Sequence, residues 1–205
     1  MPRLLLLLSI FFSTALFGQK INDVERRANI FCDSLIQNNS DTTLTYTLTC
    51  VGGVYRADTC DFYHDYYLFW KQNGNTFFQK FDGCNSYKTK LLDTTNPLTF
   101  YIAQKKKIDH EIIYAPTYVQ SQHGGTGTLI SQSIDHTCYY QMTFIIREKK
   151  IIKSVSDYNL TFKTFDNGRK NMYYNYNQHT QLKKLVDLLT QFTKQIDTDN
   201  QIDVQ

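Results

Sequence analysis

The chain has 205 residues, with 22 Lys and Arg against 19 Asp and Glu, a near-balance that leaves no basic field of the kind that tracks a phosphate backbone. Fifteen Tyr and 14 Phe stand against nine Gly and three Pro, which excludes a linker or low-complexity chain and points to a strand-rich, packed fold.

Met1-Pro2-Arg3 followed by Leu4 to Leu8, Ser9, Ile10, Phe11 and Phe12 reads as the basic start and apolar core of a secretion signal. The apolar stretch, Leu4 to Phe17, falls short of the roughly 20 residues that cross a bilayer. Cleavage is expected after Gly18, with Ala15 as the other cut. The sequence therefore predicts a signal peptide over 1–18, one domain over 19–197 and a flexible polar tail over 198–205. A secreted or periplasmic location follows, with no membrane span once the signal is removed.

Ile21, Val24, Ala28, Phe31 and Leu35 recur at three- and four-residue steps and predict an amphipathic helix, with Asn22 and Glu25 as a capping pair. Asn38 to Asp41 stop it. Thr43-Leu44-Thr45-Tyr46-Thr47-Leu48-Thr49 alternates as a strand does, and Gly52-Gly53 reads as a turn. The sharpest local signal is Tyr63 to Lys71, then Asn73-Gly74, then Thr76 to Phe81, a hairpin with a type I′ turn. Its register would set Trp70 opposite Phe77, Phe69 opposite Phe78, Tyr67 opposite Lys80 and Tyr66 opposite Phe81.

Period-two alternation then gives this hairpin two faces. Phe62, His64, Tyr66, Leu68, Trp70, Phe77 and Phe81 belong in the core. Tyr63, Asp65, Tyr67, Phe69, Lys71, Phe78 and Lys80 mix rings with charge and read as a half-covered face or an exposed aromatic platform. Leu98 to Ala103, Ile112 to Val119, Thr128 to Ile134 and Tyr139 to Arg147 are further strand candidates. The last turns at Glu148-Lys149-Lys150 into Ile151 to Val155. A second hairpin is read from Tyr158 to Phe165, Asp166-Asn167-Gly168 and Lys170 to Tyr176. Leu182, Leu185, Val186, Leu188, Leu189, Phe192 and Ile196 form one apolar face of a C-terminal helix. The fold class expected is α+β, an antiparallel sheet built from hairpins, flanked by N- and C-terminal amphipathic helices packed on one face.

Five cysteines in an exported chain predict disulfides. Cys32 falls near the apolar stripe of the first helix and is taken as the free thiol; the expected bridges are Cys50 with Cys60 and Cys84 with Cys138. No Cys or His spacing suits zinc, and no cofactor motif is present.

His123-Gly124-Gly125-Thr126-Gly127 has the look of an oxyanion-holding loop, but no G-x-S-x-G partner accompanies it, and turn geometry explains the glycines. Asp135-His136-Thr137-Cys138 invites a Cys-His reading that export opposes. The leading expectation is a non-catalytic binding module whose sheet face offers Tyr63, Asp65, Tyr67, Phe69, Phe78 and Lys80 to a protein, peptide or carbohydrate ligand. The second expectation, from another class, is a small secreted hydrolase using His123, Asp135 or His136 beside the glycine loop.

Overall fold

A computed structural model describes residues 23–38, 40–52, 64–121, 127–147 and 149–198. The signal segment, Cys60, Phe62, Tyr63, His123 and the chain after Thr198 lie outside the described residues.

Helix α1 spans Asp23–Gln37 and strand β1 spans Thr42–Cys50. Strands β2 (Tyr66–Gln72) and β3 (Asn75–Phe81) form the expected hairpin, with Trp70 opposite Phe77, Phe69 opposite Phe78, Tyr67 opposite Lys80 and Tyr66 opposite Phe81. Asn73 and Gly74 have φ of 51° and 79°, the left-handed pair that a type I′ turn requires. A Cβ added at Gly74 would meet nothing, so backbone angle alone accounts for the glycine. After β4 (Lys90–Leu92) come helix α2 (Pro97–His110) and the small hairpin β5 (Thr117–Gln120) and β6 (Thr128–Ser131). Strands β7 (Cys138–Ile146) and β8 (Lys149–Ser156) follow. Helices α3 (Asp157–Thr161), α4 (Tyr174–His179) and α5 (Gln181–Thr198) end the described chain.

The main sheet is antiparallel with order β4-β3-β2-β1-β7-β8, so the α+β class holds. One expected strand is a helix, and an expected hairpin is partly taken over by short helices. Leu98 to Ala103 lies inside α2, where the Asn96 side chain accepts from the Thr99 amide at 3.0 Å and Pro97 takes the first turn. This N-cap and N1 chemistry outweighs the strand propensity of Phe100, Tyr101 and Ile102. The expected hairpin over 158–176 keeps its turn, with Gly168 at φ 77°, but only one bridge, Thr164 to Lys170. Buried amide side chains replace the ladder there. Asn171 Nδ2 donates to Phe162 O at 3.0 Å, and Asn177 Nδ2 donates to Tyr114 O at 2.9 Å and to Asn159 O at 3.0 Å. Of Ile112 to Val119, only the last three residues join a strand.

The helices lie on both faces of the sheet, not on one. Val24, Ala28, Cys32 and Leu35 of α1 pack against Leu68, Trp70 and Phe81. On the opposite face, Leu98, Tyr101 and Ile108 of α2 and Leu182, Leu185, Val186 and Leu189 of α5 close over Leu44, Tyr46, Tyr67, Phe69, Phe78, Met142 and Phe144. The Tyr101 ring stacks on Phe144 with centroids 3.8 Å apart. No described helix is long and apolar enough to cross a membrane.

The cysteine pairing differs from the expected one. Cys50 bonds Cys138, the last pair of the β1–β7 register; sheet neighbourhood fixes the partner, where sequence spacing suggested nearer ones. Cys84 is disulfide-bonded as well. Among the described cysteines Cys32 is the free thiol, buried and 3.7 Å from Thr43 Oγ1.

Candidate functional site

Tyr67, Phe69 and Phe78, expected on an accessible sheet face, are 6 %, 0 % and 1 % exposed. Phe192 of α5 sets its ring 5.2 Å from Phe69 and 5.1 Å from Phe78. Burying flat rings between sheet and helix removes apolar area from water, so this face is core and offers no platform. Asp65 and Lys80 remain at its margin. They meet α5 there.

On α5, Thr190, Thr193, Lys194 and Asp197 fall at i, i+3, i+4 and i+7, one helical face. This face completes a cavity of about 350 Å³ with Tyr46, Leu48, His64, Asp65 and Tyr67. Lys80 Nζ lies 2.8 Å from Asp65 Oδ2 and 2.7 Å from Asp197 Oδ1. The Tyr67 hydroxyl stands 3.1 Å from Asp65 Oδ2 and 2.9 Å from Asp197 Oδ2, donating between the two carboxylates. The ammonium is also 5.6 Å from the ring centres of Tyr67 and Tyr87. Lys80 is therefore held by charge on one side and by aromatic rings on the other.

Burial sets the electrostatics of this cluster. It raises the Asp65 carboxyl above the ordinary value, against the pull of Lys80 and Tyr67. It also raises the Tyr67 phenol, with Asp65 and Asp197 adding to the effect. For Lys80, burial pulls downward, but the bonds to Asp197 and Asp65 prevail and hold the ammonium above its usual range. Burial lowers His64, with the Asp65 charge opposing it. Burial raises Tyr46 as well, opposed by a hydrogen bond to Thr190. The net result is an imidazole whose hold on its proton is weakened, beside a fixed arrangement of two acidic side chains, an ammonium and a phenol.

The remaining expected residues do not join this cavity. Tyr63 and His123 lie outside the described residues. Asp135 and His136 are exposed, and the His136 ring covers Gly52, where an added Cβ would sit 2.4 Å from its Nδ1. Gly52, at φ 84°, is thus required by both angle and space. Among the described residues no group of three or more His, Cys, Asp or Glu is placed to hold a metal ion. Between Asp65 and Asp197 the place of a cation is taken by the Lys80 ammonium.

Comparison with known proteins finds no matching family model, no matching curated protein and no matching solved structure.

A wider groove of about 760 Å³ runs between α2 and α5, lined by Pro97, Phe100, Ala103, Leu188 and Phe192 with a polar rim. It carries no titratable cluster comparable to the smaller cavity. Among the described residues, chemistry and concavity coincide at the Asp65–Lys80–Asp197 site. Asp197, Thr193 and Thr190 are functional candidates that sequence reasoning passed over; their i, i+3, i+7 spacing on the polar edge of the last helix was the available signal.

Proposed function

We propose that this chain is an exported, non-catalytic binding module that takes a small hydroxyl-rich ligand, carbohydrate in class, in the cavity between β1, β2 and α5. The observation that carries this reading is the pair of carboxylates held by one ammonium and one phenol at the wall of a concavity. An ionised carboxylate has about four lone-pair sites; Lys80 donates to each acid and the one Tyr67 proton is shared between them, leaving acceptors for vicinal hydroxyl groups. Tyr46 and Leu48 supply the apolar wall on which a sugar's C–H face rests. Threonine hydroxyls at 190 and 193 complete a rim of neutral donors and acceptors. The cavity volume falls in the range of roughly 300–1,000 Å³ of small-molecule sites.

The test is titration with a panel of mono- and disaccharides, followed by backbone amide NMR. Binding should shift the amides of His64, Asp65, Tyr67 and Thr193. Asp197→Asn should weaken it by about tenfold or more, since a hydrogen bond to a charged group contributes about 1.5–3 kcal/mol. A panel that leaves those amides unmoved while shifting others overturns the assignment of the site. For export, N-terminal sequencing of secreted material should begin at Gln19 or Leu16; a retained Met1 refutes cleavage.

A further inference from the structure

The main sheet ends in two very different edges. Strand β4 is three residues long and so protects its side by brevity. Strand β8 runs eight residues, Lys149–Ser156, and among the described residues pairs with β7 alone. Among the described residues no backbone hydrogen bond reaches its outer edge. Ile152, at its middle, is 64 % exposed.

Among the described residues the charged side chains along this edge are basic. Arg147, Lys149 and Lys150 are exposed, and the Lys153 ammonium touches carbonyl oxygens alone, Asp109 O at 2.8 Å and Glu111 O at 3.0 Å. Nearby acids are committed elsewhere: the Asp109 carboxylate to Tyr101 and Lys105, and Glu111 Oε2 to the Leu182 amide at 2.7 Å. The sequence from Met142 to Ser156 holds four bases and one acid, Glu148, which lies outside the described residues. Alternation puts Lys149 and Lys153 on one face of the strand and Lys150 on the other.

We propose that β8 is a docking edge for an extended acidic peptide, which adds to the main sheet as a seventh strand. Backbone groups on the open edge supply the pairing and the lysines above and below it select acidic side chains. A second copy of this chain is the wrong partner, because pairing β8 with itself brings two basic strands together, and like charges across a ladder repel. Each lysine thus blocks self-association and favours an acidic strand. This surface is separate from the cavity at Asp65, and its test is independent of sugar binding.

The probe is a fluorescein-labelled ten-residue peptide alternating glutamate and threonine, followed by anisotropy on the full chain. It should bind at least about tenfold more tightly than the lysine–threonine peptide, as two or more exposed charge pairs of up to about 1 kcal/mol each allow. The double variant Lys149→Glu with Lys150→Glu should reverse that preference while melting at the same temperature as the parent. Two N-methylated versions of the peptide separate strand addition from charge attraction. Methylation at every second residue leaves one edge free to pair and methylation at every residue leaves none, so the first version should retain binding and the second lose it. Equal binding of both versions overturns the proposal, as does failure of the acidic peptide to bind. A salt-dependent dimer of the free protein that Ile152→Lys abolishes overturns it too, because the edge then belongs to a second copy.

Discussion

Lys80→Met keeps a stem of similar length against Tyr67 and Tyr87 and deletes only the ammonium. In the folded chain the Lys80 side chain is 11 % exposed, and its ammonium makes contacts of 2.8 Å and 2.7 Å with Asp65 and Asp197, whose side chains are 32 % and 43 % exposed. Fully buried, each charge-assisted bond contributes about 1.5–3 kcal/mol. Both acids reach water and rehydrate once the ammonium is gone, so the expected loss is about 2 kcal/mol in all. At this chain length that lowers the melting temperature by about 4–8 °C. Urea and thermal unfolding followed by circular dichroism measure it. The deficit should also depend on pH in a defined direction. Asp65 has a folded pKa raised above its unfolded value, so its contribution is fully present below the unfolded pKa and is lost as pH rises through the folded one. Without Lys80 the raising effect of burial is opposed less, and the penalty for ionising Asp65 grows. The deficit of the variant should therefore be largest at neutral pH and shrink as Asp65 protonates. A loss below about 0.5 kcal/mol, or one that is the same at pH 4 and pH 7, refutes the account of the cluster.

His64 has a folded pKa lowered by burial, so its stabilising contribution is present above the unfolded value and lost as pH falls through the folded one; His64→Gln should flatten the acid limb of the stability profile between neutral pH and pH 5. Breaking the Cys50–Cys138 bridge by Cys50→Ser with Cys138→Ser opens a loop of 88 residues and should cost about 4–5 kcal/mol in urea unfolding. Cys32 should take up alkylating reagent without reductant only after denaturation, because its thiol is buried. Asn177, 0 % exposed, holds both backbone groups of Tyr114 and the Asn159 carbonyl; Asn177→Ala leaves those groups without partners and should cost about 3 kcal/mol, read from the shift in urea midpoint.

The parts of the fold legible in the sequence are those where one local rule acts alone. The β2–β3 register follows from Asn73-Gly74 and a period of two, and α1 and α5 follow from apolar spacing. Helix α2 was obscured because Leu98 to Ala103 favours strands residue by residue, whereas Asn96-Pro97 encodes the cap. The region from Tyr158 to Tyr176 was obscured because its order depends on Asn171 and Asn177 binding carbonyls far away in sequence. The cysteine partner was hidden for a topological reason: β1 sits between β2 and β7, and nothing local to Cys50 states that. The candidate site divides in the same way. Alternation placed Asp65, Tyr67 and Lys80 on one face, but their enclosure depends on where α5 lies, and Asp197 falls outside the apolar face by which that helix is read. The aromatic face was misjudged for the same reason. Its rings alternate with charge as an exposed face does, yet a second layer of helices covers all but the charged end.

That charged end can be separated from the fold. Two carboxylates and an ammonium brought to the margin of a core lose hydration, and the attraction between them only roughly repays that loss, so apolar side chains of similar size are often neutral or stabilising in such places. Breaking the cluster at one member leaves charges without partners, whereas replacing all of it does not. The triple variant Asp65→Leu, Lys80→Met and Asp197→Leu should therefore unfold within about 1 kcal/mol of the parent, unlike Lys80→Met alone, while losing saccharide binding altogether. Urea midpoints and the amide shifts of Tyr67 and Thr193 decide between the two roles. Recovery of stability with loss of binding assigns the cluster to a ligand. A triple variant at least as unstable as the single one assigns it to holding α5 on the sheet, and the binding reading then loses the observation on which it stands.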